Sequence, residues 1–299
     1  MPLLTLCPAK INLGLWVVGR RADGYHDLQT TFVRLALADR LAFDPEGGRL
    51  SCEVAGRAID CPAGDNLVLR AAAAFGEAAG IPVGGTWRLH KRIPVAAGLG
   101  GGSSDAAGAL RILQRHHGNP LSHETLRRVA SAIGADVPFF LVGGAATGQG
   151  RGDEVRPVAW PGEFYVVLVT QAAGLSTREV FAEYDAMRPR EQLTGGPVEA
   201  SVVMTDRLGC DPGGAPREVP NDLAEAAFRR MPALRRVLDA MRDQGFSAIG
   251  LSGSGPTVYG VVRDRGVARR AASRLRSRGW AVLMTAFRRG LPRVVCRVH

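Results

Sequence analysis

The sequence predicts an α+β protein of two parts, and three observations carry the prediction. Apolar runs of strand length, alternating or continuous, are interleaved with amphipathic runs of helical length. Two of the helical runs open on capping residues and close on glycine. In the second half, strands separated by one or two helices suggest an α+β sandwich resembling a ferredoxin-like unit. With 299 residues the chain can form one large or two medium domains, each with its own core.

Residues 3–18 are extended and largely apolar, and residues 32–43 alternate weakly. Asp65 or Asn66 can cap a helix over residues 67–79, because a short side-chain oxygen accepts from the first free N–H groups; Gly80 can end it. A strand over 86–93 leads into a glycine-rich run, and an alanine-rich helix over 105–114 leads out, with Ser103 or Ser104 as its N-cap. Ser122 caps a further helix through Ile133, which Gly134 terminates, and residues 134–140 turn back into apolar chain. Pro157 and Pro161 bracket a boundary that divides the chain into residues 1–156 and 157–299. Beyond it lie a buried strand over 164–169 and helices over 177–187, 223–230 and 233–244. Strands over 247–251 and 257–262, an arginine-bearing helix and a strand over 280–287 complete the series. Residues 195–220, rich in glycine and proline, read as an irregular surface insertion.

The run Pro94-Val95-Ala96-Ala97-Gly98-Leu99-Gly100-Gly101-Gly102-Ser103-Ser104 is the most informative segment. Strand, glycine loop and helix N-terminus together make an anion site. Backbone free of side chains can close around phosphate oxygens, and the first N–H groups of the helix point at the anion unpaired. A Walker A loop would end in Gly-Lys-Ser/Thr, and no lysine follows these glycines. A dinucleotide fingerprint would put a third glycine where Ser103 stands, with an acid about 20 residues on at a strand end, and the sequence offers neither. The segment therefore points to a nucleoside triphosphate held by a glycine loop of another kind.

The hydrophobic fraction of 46% and mean hydropathy of +0.01 fit a globular protein. No apolar run approaches the ~20 residues that span a bilayer, so no membrane partner is expected. The first residues show no charged-then-apolar leader pattern. Five scattered cysteines (Cys7, Cys52, Cys61, Cys210 and Cys296) include no CxxC pair and read as reduced thiols in a cytoplasmic protein. The net charge of +10 is concentrated near the end of the chain, where residues 263–297 carry eleven arginines and one aspartate, Asp264. There Ala268, Ala271, Ala272 and Leu275 form an apolar stripe, which leaves Arg269, Arg270, Arg274, Arg276 and Arg278 on the outer face of a helix. Without interleaved aromatics this is no stacking platform, and no nucleic-acid partner is expected. Against 36 arginines the chain has two lysines, Lys10 and Lys91. A compact ammonium fits close quarters and titrates on burial as a guanidinium does not, which marks both as candidate site residues.

Four motifs stand in order: Pro8-Ala9-Lys10-Ile11-Asn12-Leu13, the glycine loop, Gly134-Ala135-Asp136, and Leu251-Ser252-Gly253-Ser254-Gly255-Pro256-Thr257. Together they resemble the GHMP kinase superfamily over nearly the whole chain. The resemblance implies a domain like ribosomal protein S5 domain 2 followed by a ferredoxin-like domain, with ATP and a small-molecule substrate in the cleft between. The run Arg21-Ala22-Asp23-Gly24-Tyr25-His26 is similar to those members that phosphorylate the 2-hydroxyl of a cytidylylated methylerythritol in non-mevalonate isoprenoid synthesis. Homoserine-type or mevalonate-type kinases are the alternative.

On that resemblance ATP is the co-substrate, with Mg2+, and residues 94–104 surround its phosphates while Asn66 and Lys91 lie near the adenine. Asn12, Tyr25, His26, Thr177 and Phe181 hold the cytidylyl substrate, with Tyr25 and Phe181 on opposite faces of the base and His26 hydrogen-bonded to it. Phosphoryl transfer is mainly positioning and charge neutralisation, and an attacking hydroxyl needs a base. Asp136 fits that role, with Lys10 beside it to keep it ionised and to lower the pKa of the hydroxyl. The turn 252–255 either closes the cleft with backbone N–H groups or simply joins two strands. Ser103 or Ser104 is the candidate to meet Mg2+ alongside phosphate oxygens. Arg151 either contacts a phosphate or points outward.

Overall fold

The structure, a computed structural model, describes residues 1–46, 48–59, 62–188, 208 and 215–296. The chain opens with strands β1 (Leu3–Arg20), β2 (His26–Asp44) and β3 (Ser51–Gly56), then helix α1 (Leu67–Ala79) and strand β4 (Thr86–Lys91). Helices α2 (Gly101–His116) and α3 (His123–Ile133) precede strands β5 (Ala145–Gln149), β6 (Glu154–Pro157) and β7 (Tyr165–Thr170). Helix α4 (Thr177–Met187), strand β8 (Arg217–Glu218), helices α5 (Ala224–Arg230) and α6 (Ala233–Arg242), and strands β9 (Ala248–Leu251) and β10 (Val258–Val262) follow. Helix α7 (Arg265–Ser277) and strands β11 (Ala281–Ala286) and β12 (Val295–Cys296) end the described chain.

Two sheets result. The first has seven strands in the order β12-β1-β2-β4-β3, with β5 on β2 and β6 on β5; the second has five, β11-β7-β10-β9-β8. The chain passes from one sheet to the other between β6 and β7, and returns when β12 pairs with β1. Ala9, Ile11, Leu13, Val33 and Leu35 share a core with Val166, Leu168, Tyr259 and Val261, which joins the two sheets. Side chains alternate along a strand, so Lys10 and Asn12 face away from that core. On that other side, α1 to α3 bury Phe75, Leu110, Ile112 and Ala130 against Phe32, Phe43 and Trp87. Helix α2 lies close on β1 because its residues there are small: a Cβ added to Gly108 would stand 2.5 Å from Cys7 Sγ.

Helix α1 has the expected ends. Asn66 Oδ1 accepts from the Val68 N–H at 2.9 Å, and Gly80 stops the helix at φ 65°. Ser122 caps α3 through the Thr125 N–H, and the stripe Ala268, Ala271, Ala272 and Leu275 is buried beneath α7. Helix α2 differs from expectation, beginning at Gly101 with Gly100 as N-cap at φ 68°, and no side chain caps it. Ser103 and Ser104 therefore lie inside the first turn and are not caps, because a left-handed glycine turns the chain into the helix earlier. Strand β2 begins at His26, ahead of the alternating stretch, because its polar first residues pair with β1 and then β5. Most of the expected insertion at 195–220, with Cys61 and Cys210, lies outside the described residues; its end forms β8 within the second sheet.

Candidate active site

The glycine run sits where the two sheets meet. Gly98 and Gly100 have φ of 73° and 68°, a region that strains any residue with a side chain. At Gly98 space is closed as well: an added Cβ would stand 2.3 Å from the Ser252 carbonyl oxygen and 2.8 Å from that of Gly255. Ser252 Oγ donates to the Gly98 carbonyl at 2.8 Å, so the glycine loop of the first sheet and the turn 252–255 of the second touch directly. Asn221 holds that turn by donating from Nδ2 to the carbonyls of Leu251 at 3.0 Å and Gly253 at 2.8 Å.

With no side-chain cap on α2, the first-turn N–H groups of Gly101, Gly102 and Ser103 have no partner within the helix. Asn66, Lys91 and residues 94–103 line a cavity of about 320 Å³ beside them. Unpaired donors and the positive end of the helix dipole suit it to an anion. Every predicted nucleotide residue borders this cavity except Ser104, which is buried one step further along α2. The Asn66 side-chain oxygen is engaged in capping α1.

Lys10 joins the loop to the candidate base. Its backbone N–H donates to the Leu99 carbonyl at 2.9 Å, and its Nζ lies 3.3 Å from Asp136 Oδ2. The ammonium also donates to Asn12 Oδ1 at 2.8 Å and lies 5.4 Å from the centre of the Phe32 ring. Asn12 in turn donates to Thr30 Oγ1 at 2.8 Å, whose hydroxyl donates to the Gly14 carbonyl at 2.7 Å, and this chain fixes the lysine head. Asp136 lies between the end of α3 and a 3-10 turn (Pro138–Leu141) that Val137 ties back to Gly134. Its side chain is 32% exposed against 5% for Lys10, so the carboxylate remains open to a ligand while the ammonium is enclosed. A Cβ added to Gly253 would stand 3.6 Å from Lys10 Nζ, which places the turn 252–255 over the pair.

Lys91 is bound more tightly than its expected place by the adenine requires. Its Nζ donates to Asp105 Oδ2 at 2.7 Å and to Asp39 Oδ2, and all three side chains are buried. Asp39 Oδ1 accepts the backbone N–H groups of Arg92 at 2.5 Å and Ile93 at 2.8 Å, which fixes the chain at the exit of β4. Burial pushes the Asp105 carboxyl up to about 8, with the charge of Asp39 acting the same way and Lys91 opposing. Burial alone would lower Lys91, but Asp105 and Asp39 together raise it above the usual lysine value. One cation thus faces two carboxyls, and a proton on Asp105 leaves the group neutral. The Lys91 ammonium acts as a strut beneath the loop.

The predicted base-binding residues lie around the β1–β2 hairpin, helix α4 and strand β1. Tyr25 is 59% exposed at the tip of the β1–β2 hairpin, with the Arg151 guanidinium 5.5 Å from its ring centre. Arg151 donates from Nη2 to Asp153 Oδ2 at 3.0 Å and to the Ser131 carbonyl at 3.2 Å, which holds the guanidinium beside Tyr25. Phe181 stacks on His26, with ring centres 4.7 Å apart and planes 17° apart, so the imidazole covers one face of the Phe181 ring. The contact follows from β2 starting at His26 and laying its buried ring against α4. Thr177 Oγ1 hydrogen-bonds Ser254 Oγ at 2.9 Å, which joins the start of α4 to the turn 252–255. Asn12 belongs to the Lys10 group, Thr177 to this turn, and His26 with Phe181 to the far end of β2. Sequence reasoning missed Asp39, Asp105, Asp185 and Asn221. Asp105 directly follows the glycine loop and could have been found there, whereas the other three carry no local signal.

Residues 66–144 match the family described as GHMP kinases N terminal domain, and residues 215–280 that described as GHMP kinases C terminal. Fold and site define a GHMP kinase, an ATP-dependent small-molecule kinase. The chain is 41% identical over 280 residues to the 4-diphosphocytidyl-2-C-methyl-D-erythritol kinase of Moorella thermoacetica, covering 92% of this chain and 95% of that one. It is also 41% identical over 279 residues to the kinase of the same name from Thermus thermophilus, covering 92% and 94%. A crystal structure of 4-(cytidine 5'-diphospho)-2C-methyl-D-erythritol kinase superposes with a TM-score of 0.78 at 36% identity, covering 96% of this chain and 100% of that one. Homoserine kinase from Cytophaga hutchinsonii superposes at 0.64 with 15% identity over 98% and 96%, which shows the shared fold alone. The chain belongs to the 4-diphosphocytidyl-2-C-methyl-D-erythritol kinase family. Among the described residues, no helix is long and apolar enough to cross a membrane.

Proposed function

We propose that this chain transfers the γ-phosphoryl group of ATP to the 2-hydroxyl of 4-diphosphocytidyl-2-C-methyl-D-erythritol, with Asp136 as general base and Lys10 as its electrostatic partner. The contact of 3.3 Å between Lys10 Nζ and Asp136 Oδ2, beside the glycine loop, carries the reading. The free N–H groups of Gly101, Gly102 and Ser103 bind phosphate oxygens. Asp136 accepts the hydroxyl proton as the new O–P bond forms and the bond to the ADP oxygen breaks. Lys10, held by Asn12, offsets negative charge on the incoming oxygen. In this division of labour residues 1–156 carry the nucleotide loop and the Lys10–Asp136 pair, while residues 157–299 supply the turn 252–255, Thr177 and Phe181.

Magnesium bound with ATP would neutralise triphosphate charge. Among the described residues no group of three or more His, Cys, Asp or Glu could hold a metal ion; magnesium carried by a nucleotide takes phosphate oxygens and water beside one or two protein oxygens. Ser103 fits as the protein hydroxyl, since it lies partly exposed beside the turn that carries Asp136, whereas Ser104 is buried. The test is Asp136→Asn, measured by ADP release with the cytidylyl substrate, homoserine and mevalonate in parallel. The expected fall in kcat is roughly 10² to 10⁴, with ATP affinity retained. Wild-type turnover by the variant would remove Asp136 from its role, and activity with homoserine but not the cytidylyl compound would reassign the substrate.

A further inference from the structure

We propose that Asp185 is a positioning residue that fixes the ring and proton of His26, and thereby sets a preference for cytosine over uracil. His26 Nε2 lies 2.7 Å from Asp185 Oδ1, and its side chain is 6% exposed. Asp185 follows Phe181 by one helical turn of α4, so one helix face presents both the carboxylate and the ring that stacks on the imidazole. Tyr184 meets the same imidazole edge-on, its ring centre 6.1 Å away at 88°. Arg20 Nη1 lies 3.7 Å from the other Asp185 oxygen, a partly exposed ion pair on the same carboxylate. Ring plane and ring rotation are thus both set by protein contacts.

The carboxylate decides where the imidazole proton lies. An ionised carboxylate only accepts hydrogen bonds, so Nε2 carries the hydrogen. In the neutral ring Nδ1 is then left with a lone pair and acts as an acceptor. The 4-amino group of cytosine donates to such an atom. Uracil has a carbonyl oxygen at that position, which would set two acceptors against each other. A site built to bond one polar group discriminates strongly against an analogue that lacks it. The inference rests on the cytidylyl-substrate reading, but the Asp185–His26 pairing can be tested without it.

Wild type, Asp185→Ala and Asp185→Asn are compared on the cytidylyl substrate and its uridylyl counterpart, and the imidazole ¹⁵N shifts of His26 are measured in each protein without ligand. Asp185→Ala is expected to raise KM for the cytidylyl substrate roughly tenfold, the size of one hydrogen bond, with KM for ATP and kcat at saturation within about twofold of wild type. The ratio of kcat/KM between the two substrates should move toward one, and Asp185→Asn, which can still accept from Nε2, should recover most of it. In wild type the imidazole hydrogen should lie on Nε2 with Nδ1 bare, and Asp185→Ala should lose that bias. An unchanged substrate ratio in Asp185→Ala would overturn the proposal. So would a parallel rise in KM for ATP, or a wild-type imidazole protonated at Nδ1. Failure of wild type to use the cytidylyl compound would overturn the substrate reading and base selection with it, while the nitrogen shifts judge the pairing separately.

Discussion

Replacing Asp105 with asparagine probes the proton balance of the buried Asp39–Lys91–Asp105 group. Burial, reinforced by Asp39 and opposed by Lys91, moves the Asp105 carboxyl from 3.8 to about 8. The folded protein then keeps a proton that the unfolded chain releases near its ordinary value. This contribution to stability is complete below the unfolded pKa, falls as pH rises, and is lost once pH passes the folded value of about 8. One retained proton corresponds to a slope of about 1.4 kcal/mol per pH unit, hence roughly 2–3 kcal/mol between pH 6 and pH 8. Asparagine has the shape of the neutral acid, can still accept from Lys91, and can donate to Asp39. Asp105→Asn should therefore match wild type within about 1 kcal/mol at pH 6 and exceed it by roughly 2 kcal/mol at pH 9. Urea unfolding at a series of pH values measures this, since titrating groups remote from Asp105 contribute alike to both proteins. If the variant were instead weaker by about 3–5 kcal/mol at every pH, Asp105 would be an ionised partner of Lys91 and the reasoning would fail.

Gly98→Ala should cost stability by roughly 2–3 kcal/mol and raise the Kd for an ATP analogue at least tenfold, since the added Cβ meets two backbone carbonyls at positive φ. Gly80→Ala, also at positive φ but with nothing within 4 Å, should cost only about 1 kcal/mol and leave nucleotide binding intact; equal effects of the two in thermal melts and calorimetry would contradict the packing argument. Tyr25→Ala should leave stability within about 0.5 kcal/mol, because the ring is exposed, yet raise KM for the cytidylyl substrate by about fivefold or more. A matching rise in KM for ATP would refute base stacking by Tyr25. Asn221→Ala strips the Leu251 and Gly253 carbonyls, one just before and one within the turn 252–255, of their donor and should lower stability by about 1–2 kcal/mol while weakening ATP binding; unchanged ATP binding would remove that turn from the nucleotide site.

Local chemistry was legible in the sequence, and contact between distant segments was not. Asp65 or Asn66 at one end and Gly80 at the other marked the ends of α1 because capping is decided within a few residues of each end, and the structure selects Asn66. The start of α2 was misjudged because a glycine conformation, with no side-chain oxygen, performs the turn into the helix. Strands β3, β5 and β6 carry no alternation: β3 is exposed along most of its length and β5 is built from small residues. Lys10 and Asp136 were readable as motif residues, but their contact depends on how β1 and the turn after α3 pack. Asp39 looked like an ordinary polar interruption in a strand; only the fold shows Lys91 and two backbone N–H groups around it. The stacking of His26 on Phe181 joins the ends of two distant elements, which no spacing along the chain encodes.

The scarcity of lysine has a practical outcome. Lys10 and Lys91 are each 4% exposed, and every other cationic side chain that is not histidine is an arginine, so the surface offers no ε-amine. Enzymes that tag lysine side chains would find no target on the outside of this molecule, and acylating reagents would meet only the exposed α-amine of Met1. An amine-reactive ATP mimic would meet little competing background, and its labelling of Lys10 would directly report whether the nucleotide cleft is occupied.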